Sequence, residues 1–278
     1  MACNKRGAGS ITLARPLEFK ALWSLAEALS EISRVAGNVV MKHYKSDFEV
    51  MLKDDQSPVT IADEESEAVI LRALAELQSD LPIVAEEQVA ACGYPDFDSN
   101  DFWLIDALDG TKEFINRRGD FTVNIGLIQD NVPSLGVVFA PVRNELYRGV
   151  ICPRTGKQRA EVHRHNKISR IKTRKRPATG LTIVGSLSHQ VKDQWDHFTG
   201  QYNVKDTISM GSSIKFCLVA EGAVDLYPRF SPTREWDTAA GHAVVRAAGG
   251  RVRTFEGDEL RYHKPDFLNG TFVVEGMP

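Results

Sequence analysis

The spacing of apolar residues changes period along the chain. Over residues 17–44 they recur at helical intervals (Leu22, Leu25, Leu29, Ile32, Val35 and Val39), which predicts a long amphipathic helix. Ser57-Pro58 breaks the pattern. From Asp63, placed as an N-cap, a second amphipathic helix carries Val69, Leu71, Leu74 and Leu77. Residues 81–87 (LPIVAEE) form a short apolar run ending in two glutamates, and residues 102–105 read as a buried strand. Residues 121–128, 135–142 and 145–151 read as further strands, with a turn at Asp130-Asn131, and this meander predicts an antiparallel sheet. Residues 159–176 are basic with little periodicity, which predicts a solvated loop and a domain boundary near 176. Beyond it, strands at 181–186, 204–208, 223–230 and 250–255 alternate with helices at 190–198, 213–221 and 237–248, an α/β layer. The expected units are a leader over 1–18, an α+β unit over 19–176 and an α/β unit over 177–278.

Composition narrows the class without choosing within it. The chain has 278 residues, 42% hydrophobic and 26% charged, enough for one large core or two smaller ones. A net charge of −3 gives no general pull toward nucleic acid or an anionic membrane. Cys3, Cys92, Cys152 and Cys217 include no CxxC, which argues against a disulfide framework or a zinc site and fits a reducing compartment. No apolar run is long enough to span a bilayer, and the basic leader has no secretory h-region, so a cytoplasmic location is expected.

Residues 102–114, FWLIDALDGTKEF, hold the candidate chemistry. Asp106 and Asp109 follow a strand and can share cations, Gly110 lets backbone approach a ligand, and the amides after it favour a phosphate. The combination suggests metal-assisted phosphoryl chemistry, although the same residues also make an ordinary acidic helix-capping turn. Glu86 and Asp237 likewise follow an apolar run or open a helix. If the four acids converge, each pair 4 Å apart costs about 4 kcal/mol at an effective dielectric of about 20, which Mg²⁺ with its oxygen ligands would relieve. Each could instead cap its own helix, and N-cap is the better isolated reading for Asp237. Ala239, Ala240 and Gly241 would let that helix start press against another backbone. The Thr111 hydroxyl beside the Asp63 carboxylate could orient and deprotonate an attacking water, with helix capping as the alternative.

Taken together, AEEQ (85–88), DALDGT (106–111) and WDTAAG (236–241) resemble, in order and separation, the motifs of the lithium-sensitive, magnesium-dependent phosphomonoesterase superfamily that includes inositol monophosphatase. From about residue 20 onward, DDQSPVTIAD, LDGTKEFI, GDFTVNIGLI, GVVFAPV and GSSIKFCLVAEGAVDLYPRF are similar to the bacterial 3′(2′),5′-bisphosphate nucleotidases of the CysQ type. The resemblance implies a sugar-phosphatase-type fold layered α/β/α/β/α, with the site between two domains. It implies two or three Mg²⁺ ions held by Glu86, Asp106, the Leu108 carbonyl, Asp109 and Asp237, with Asp63 and Thr111 activating water. Gly110 and Thr111 amides would hold the departing phosphate, and Ser188, His189, Ser212, Lys215 and Arg229 would contact the nucleotide. Lys215 and Arg229 suit the second, non-reacting phosphate. Three positions depart from the pattern: Ala107 stands for the motif proline, Ala85 for Ser or Gly, and Leu187 for an Arg.

The implied reaction removes the 3′-phosphate of adenosine 3′,5′-bisphosphate, or of its phosphosulfate form, giving AMP and phosphate. An inositol or sugar-phosphate phosphatase of the same fold and a non-catalytic ligand-binding relative are the alternatives. The implied partner is a small-molecule nucleotide bisphosphate, with no nucleic acid and at most peripheral contact with the inner membrane. The oligomeric state is open. The basic run KISRIKTRKR (167–176) reads as solvated chain rather than a nucleic-acid patch.

Overall fold

The computed structural model describes residues 17–46, 50–52, 58–77, 80–186 and 192–277. Helix α1 (Phe19–Tyr44) and helix α2 (Ile61–Glu76) are linked through the hairpin β1 (Val50–Leu52) and β2 (Pro58–Thr60) and pack against each other. The buried face of α1 carries Leu22, Ala26, Leu29, Ser33, Ala36, Gly37 and Val40. Val35, expected on that face, is 53% exposed. The close approach of α1 to the sheet selects small residues, and a Cβ on Gly37 would stand 2.5 Å from the Phe139 ring. Helix α2 begins before Asp63. Thr60 is its N-cap, and Asp63, two residues into the helix, accepts a hydrogen bond from the Thr60 amide at 2.8 Å, completing a capping box.

A seven-stranded sheet follows in sequence order: β3 (Ile83–Ala85), β4 (Phe102–Asp109), β5 (Thr122–Gln129), β6 (Val132–Ala140), β7 (Glu145–Ile151), β8 (Gln158–Arg164) and β9 (Lys167–Arg170). Only β3 and β4 run parallel; the remainder is an antiparallel meander. The basic stretch expected as a loop therefore holds two strands. In β8 the buried charge of Glu161 is paired within the sheet, which hides the alternation of a strand. Glu161 is 2% exposed and accepts from Arg148 at 2.8 Å and from Arg159, and both guanidinium groups also lie against the Trp23 ring at 4.6 and 4.2 Å.

Helices α3 (Glu86–Cys92) and α4 (Thr111–Ile115) follow β3 and β4 directly. The second sheet has the order β11-β10-β12-β16-β14, from β10 (Leu181–Ser186), β11 (Val204–Met210), β12 (Leu226–Arg229), β14 (Arg251–Thr254) and β16 (Phe272–Glu275). A small pair, β13 (Thr233–Arg234) with β15 (Leu268–Asn269), lies beside it. Helix α5 (Lys192–Thr199) covers its outer face through Phe198. Helices α6 (Ile214–Ala220) and α7 (Ala239–Ala247) fill the space between the sheets. The layers are α1/α2, seven strands, α6/α7, five strands and α5, the expected α/β/α/β/α order.

Helix α7 lies almost on the backbone of the first sheet. Gly126, Gly136 and Gly149 pair with one another across β5, β6 and β7. A Cβ on Gly136 would stand 2.2 Å from the Ala240 carbonyl oxygen. No side chain fits there, so the glycine lane sets how deeply the start of α7 enters the molecule. Cys152 and Cys217 are free and buried. Among the described residues, no helix is long and apolar enough to cross a membrane.

Candidate active site

Strand β4 is buried from Phe102 through Leu108 and carries two acids at its C-terminal end. Residues three apart on a regular strand face opposite ways, but the pairing of β4 with β5 shifts register between Asp106 and Asp109. The irregularity lets both charges act in one place, and Asp109 is among the charges that raise the pKa of Asp106. The carboxylate of Asp106 accepts from the Leu108 amide at 3.0 Å. Asp109 accepts from the Ser213 amide at 2.5 Å, from Asn124 Nδ2 at 3.3 Å and from Thr122 Oγ1 at 3.4 Å.

Two further acids arrive from distant segments. Glu86 is the first residue of α3, and its Oε2 accepts from the indole N–H of Trp236 at 3.1 Å. Asp237 is not a helix cap: Thr238 occupies that position, and Asp237 Oδ2 turns back to the Arg234 amide at 2.8 Å. As the small residues predicted, Ala239 and Ala240 press on Gly126 and Gly136, which brings Asp237 down to the end of β4. Carboxylate oxygens of Glu86, Asp106 and Asp237 lie within 4.8 Å of one another.

The electrostatics record that crowding. Burial, then the charges of Glu86, Asp109 and Asp237, push Asp106 well above the usual carboxylate range. Burial, then Asp109 and Glu86, do the same to Asp237. Burial raises Asp109 to about 6, against the opposing effects of Lys215 and the Ser213 and Asn124 hydrogen bonds. Crowded carboxylates, buried at Asp106 and half-buried at Glu86 and Asp237, fit a hard divalent cation. The donor set and its shared strain therefore suit Mg²⁺ better than a soft metal.

Thr111 opens α4 after Gly110, which adopts φ 97° as the helix N-cap. The Thr111 hydroxyl lies 3.2 Å from Asp63 Oδ1 and 3.3 Å from the Leu108 carbonyl. Asp63 is 3% exposed, and its other oxygen also accepts from Thr60 Oγ1 at 2.7 Å. Near Asp109, Lys215 is buried and donates to the carbonyls of Met210, at 3.3 Å, and Ser212. Burial lowers its pKa to about 8, with Asp109 acting the other way. Arg229 ends β12 with its Nε on the Ser231 carbonyl at 3.1 Å, and its charge acts on both Lys215 and Asp237. Ser212 sits in the left-handed region, at φ 50°, in the turn before α6. Ser188, His189 and Leu187 lie outside the described residues.

Several residues of the site had no assigned role. Ser213, rather than Ser212, meets Asp109, and its hydroxyl joins Asn124 at 2.7 Å and Thr122 at 2.8 Å. The available signal was two polar side chains, Thr122 and Asn124, in an otherwise apolar strand; both are fully buried. Trp236 packs in a core cluster and also holds Glu86.

A layered α/β fold that gathers carboxylates at strand ends, beside the buried Lys215 and the half-buried Arg229, is that of a metal-dependent phosphatase. Within that class, the chain belongs to the inositol monophosphatase family, whose profile matches residues 22–276. It is 42% identical over 253 residues to the 3′(2′),5′-bisphosphate nucleotidase CysQ of Salmonella typhimurium, a match covering 90% of this chain and 99% of that protein. The CysQ protein of Escherichia coli strain K12 is 40% identical over the same shares of both chains. The crystal structure of CysQ from Bacteroides thetaiotaomicron, a bacterial member of the inositol monophosphatase family, aligns with a TM-score of 0.75 at 38% identity, covering 91% of this chain and 97% of that one. An inositol monophosphatase from Anabaena aligns with a TM-score of 0.72 at 25% identity, covering 92% and 91%.

Proposed function

We propose that the protein is a Mg²⁺-dependent 3′(2′),5′-bisphosphate nucleotidase that hydrolyses the 3′-phosphate of adenosine 3′,5′-bisphosphate to give AMP and phosphate. The observation that carries the phosphatase reading is the convergence of Glu86, Asp106 and Asp237 within 4.8 Å, with Asp109 electrostatically joined to them. The choice of substrate follows the CysQ relatives, and Lys215 and Arg229 support it by placing two cations near the acidic cluster.

Glu86, Asp106, Asp109, Asp237 and the Leu108 carbonyl would hold two or three Mg²⁺ ions. When bound, the ions supply Lewis-acid charge that acidifies the attacking water and stabilises the leaving 3′-oxygen. Thr111 Oγ1 donates to Asp63 Oδ1, which leaves its lone pairs to orient that water. The water's proton then passes to Thr111 Oγ1 as the Thr111 proton moves to Asp63 Oδ1. Thr60 holds the other Asp63 oxygen and so fixes the direction of the relay. The Gly110 and Thr111 amides would bind the departing phosphate at the start of α4. Lys215 and Arg229 would bind the second phosphate. Ser212, Ser188 and His189 would complete the nucleotide contacts. The enzyme would act in the cytoplasm, with at most peripheral membrane contact.

Steady-state phosphate release tests this reading. The expected result is Mg²⁺-dependent turnover of adenosine 3′,5′-bisphosphate at a far higher kcat/KM than inositol monophosphate or fructose 1,6-bisphosphate. A reversed order would replace the nucleotidase reading with that of a sugar or inositol phosphatase.

A further inference from the structure

A helix leaves its first amides without intrahelical partners, and a cap side chain usually serves those at the second or third position. Helix α3 starts at Glu86 with Ala85 as N-cap, and alanine offers no cap. The two amides in question, those of Glu87 and Gln88, nevertheless have acceptors. They donate to Glu67 Oε2 and Oε1, each at 2.8 Å. Glu67 lies on a different helix, α2, and is 3% exposed. Two charge-assisted bonds, one to each oxygen, offset the burial of its carboxylate.

The same face of α2 reaches the rest of the site. Asp63, Ser66 and Glu67 stand at i, i+3 and i+4, so they share one face. Asp63 accepts from Thr111 on α4. Ser66 Oγ donates at 3.3 Å to the carbonyl of Ala107, between the two aspartates of β4. Glu67 completes the set at α3, whose first residue is Glu86.

We propose that Glu67 is a positioning residue: it caps α3 from outside in place of the cap that Ala85 lacks, and thereby fixes the Glu86 carboxylate against Asp106 and Asp237. Its carboxylate can supply both acceptors at once. A serine at position 85 would serve the α3 amides locally, so the Ala85 departure and the trans cap belong together. The inference takes from the proposed function only that Glu86 is a metal ligand.

Glu67→Gln tests it, since a carboxamide presents one oxygen where two amides need acceptors. Mg²⁺ affinity measured by calorimetry should fall about tenfold or more, the scale of lost outer-shell contacts, while KM for the nucleotide at saturating Mg²⁺ stays within about twofold. Adding Ala85→Ser to Glu67→Gln should recover most of the lost affinity. Unchanged Mg²⁺ affinity in Glu67→Gln, or a loss that Ala85→Ser leaves untouched, would overturn the proposal. Amide hydrogen exchange on the wild type gives a second reading that survives a folding failure of the variant. The Glu87 and Gln88 amides should be protected like those of β4, and free exchange there would refute the cap. Wild-type protein that binds no Mg²⁺ would count against the proposed function, while the exchange result would still decide the cap.

Discussion

Replacing Asp237 with asparagine should stabilise the metal-free protein and destabilise the Mg²⁺-loaded one. Two unit charges 4.8 Å apart repel by about 3.5 kcal/mol at an effective dielectric of about 20. The substitution removes the repulsion of Asp237 by Asp109, Glu86 and Asp106, together with its weaker attraction to Arg229. Raised pKa values let the cluster hold protons, which caps the repulsion actually present. The Arg234 amide keeps an acceptor but loses its charge, a loss of about 1 kcal/mol. A net gain of about 2 kcal/mol at pH 8 follows, or about 4 °C in Tm for a chain of this size. The sign with pH is fixed by the direction of the shifts. Because the folded chain holds these protons more tightly than the unfolded chain, the contribution is fully present below about pH 4. It is lost as pH rises through the raised folded values, so the variant's advantage should grow from pH 4 to pH 8. At a Mg²⁺ concentration of about 100 Kd the wild type gains about 2.7 kcal/mol, and the order of stability should invert. Thermal melts with chelator and with Mg²⁺ across this pH range provide the assay. Metal-free Asp237→Asn melting below the wild type at pH 8 would refute the reasoning.

Three further perturbations separate the roles of the surrounding parts. Gly136→Ala would force a Cβ to 2.2 Å from the Ala240 carbonyl oxygen, and urea unfolding should show a loss of about 1–3 kcal/mol, with weaker Mg²⁺ binding because α7 carries Asp237 at its start. Unchanged stability would mean that the lane does not set the depth of α7. Thr111→Ala should lower kcat about a hundredfold with little change in KM, while Thr111→Ser keeps most activity; equal losses in both would remove the hydroxyl from the mechanism. Lys215→Met should raise KM for the bisphosphate far more than KM for a nucleoside 3′-monophosphate, as steady-state kinetics would show. An equal effect on both would mean that Lys215 does not serve the second phosphate.

Much of the site was legible because its acids follow apolar runs. Residues 81–87 and 102–109 announce strands that end in acids, and the structure places Glu86 and Asp106 where those runs stop. The small residues after Asp237 announced a close helix approach, and the glycines opposite them complete it. The convergence itself was not legible, since it depends on the register shift between Asp106 and Asp109 and on the depth of α7. Strand β8 was hidden because its buried Glu161 pairs with Arg148 and Arg159 in place of an apolar residue, and β9 because it buries no residue at all. Asp63 looked like a cap because it does take part in one, as the third helical residue of the box opened by Thr60. Glu67 gave no local signal, because its partners are amides on another helix.

Anomalous diffraction from crystals grown with Mn²⁺ in place of Mg²⁺ tests most directly whether the scattered acids form one cation site. The account predicts strong peaks in contact with the carboxylates of Glu86, Asp106 and Asp237, and a further one beside Asp109. Crystals that show ordered Mn²⁺ elsewhere and none among these residues would contradict it.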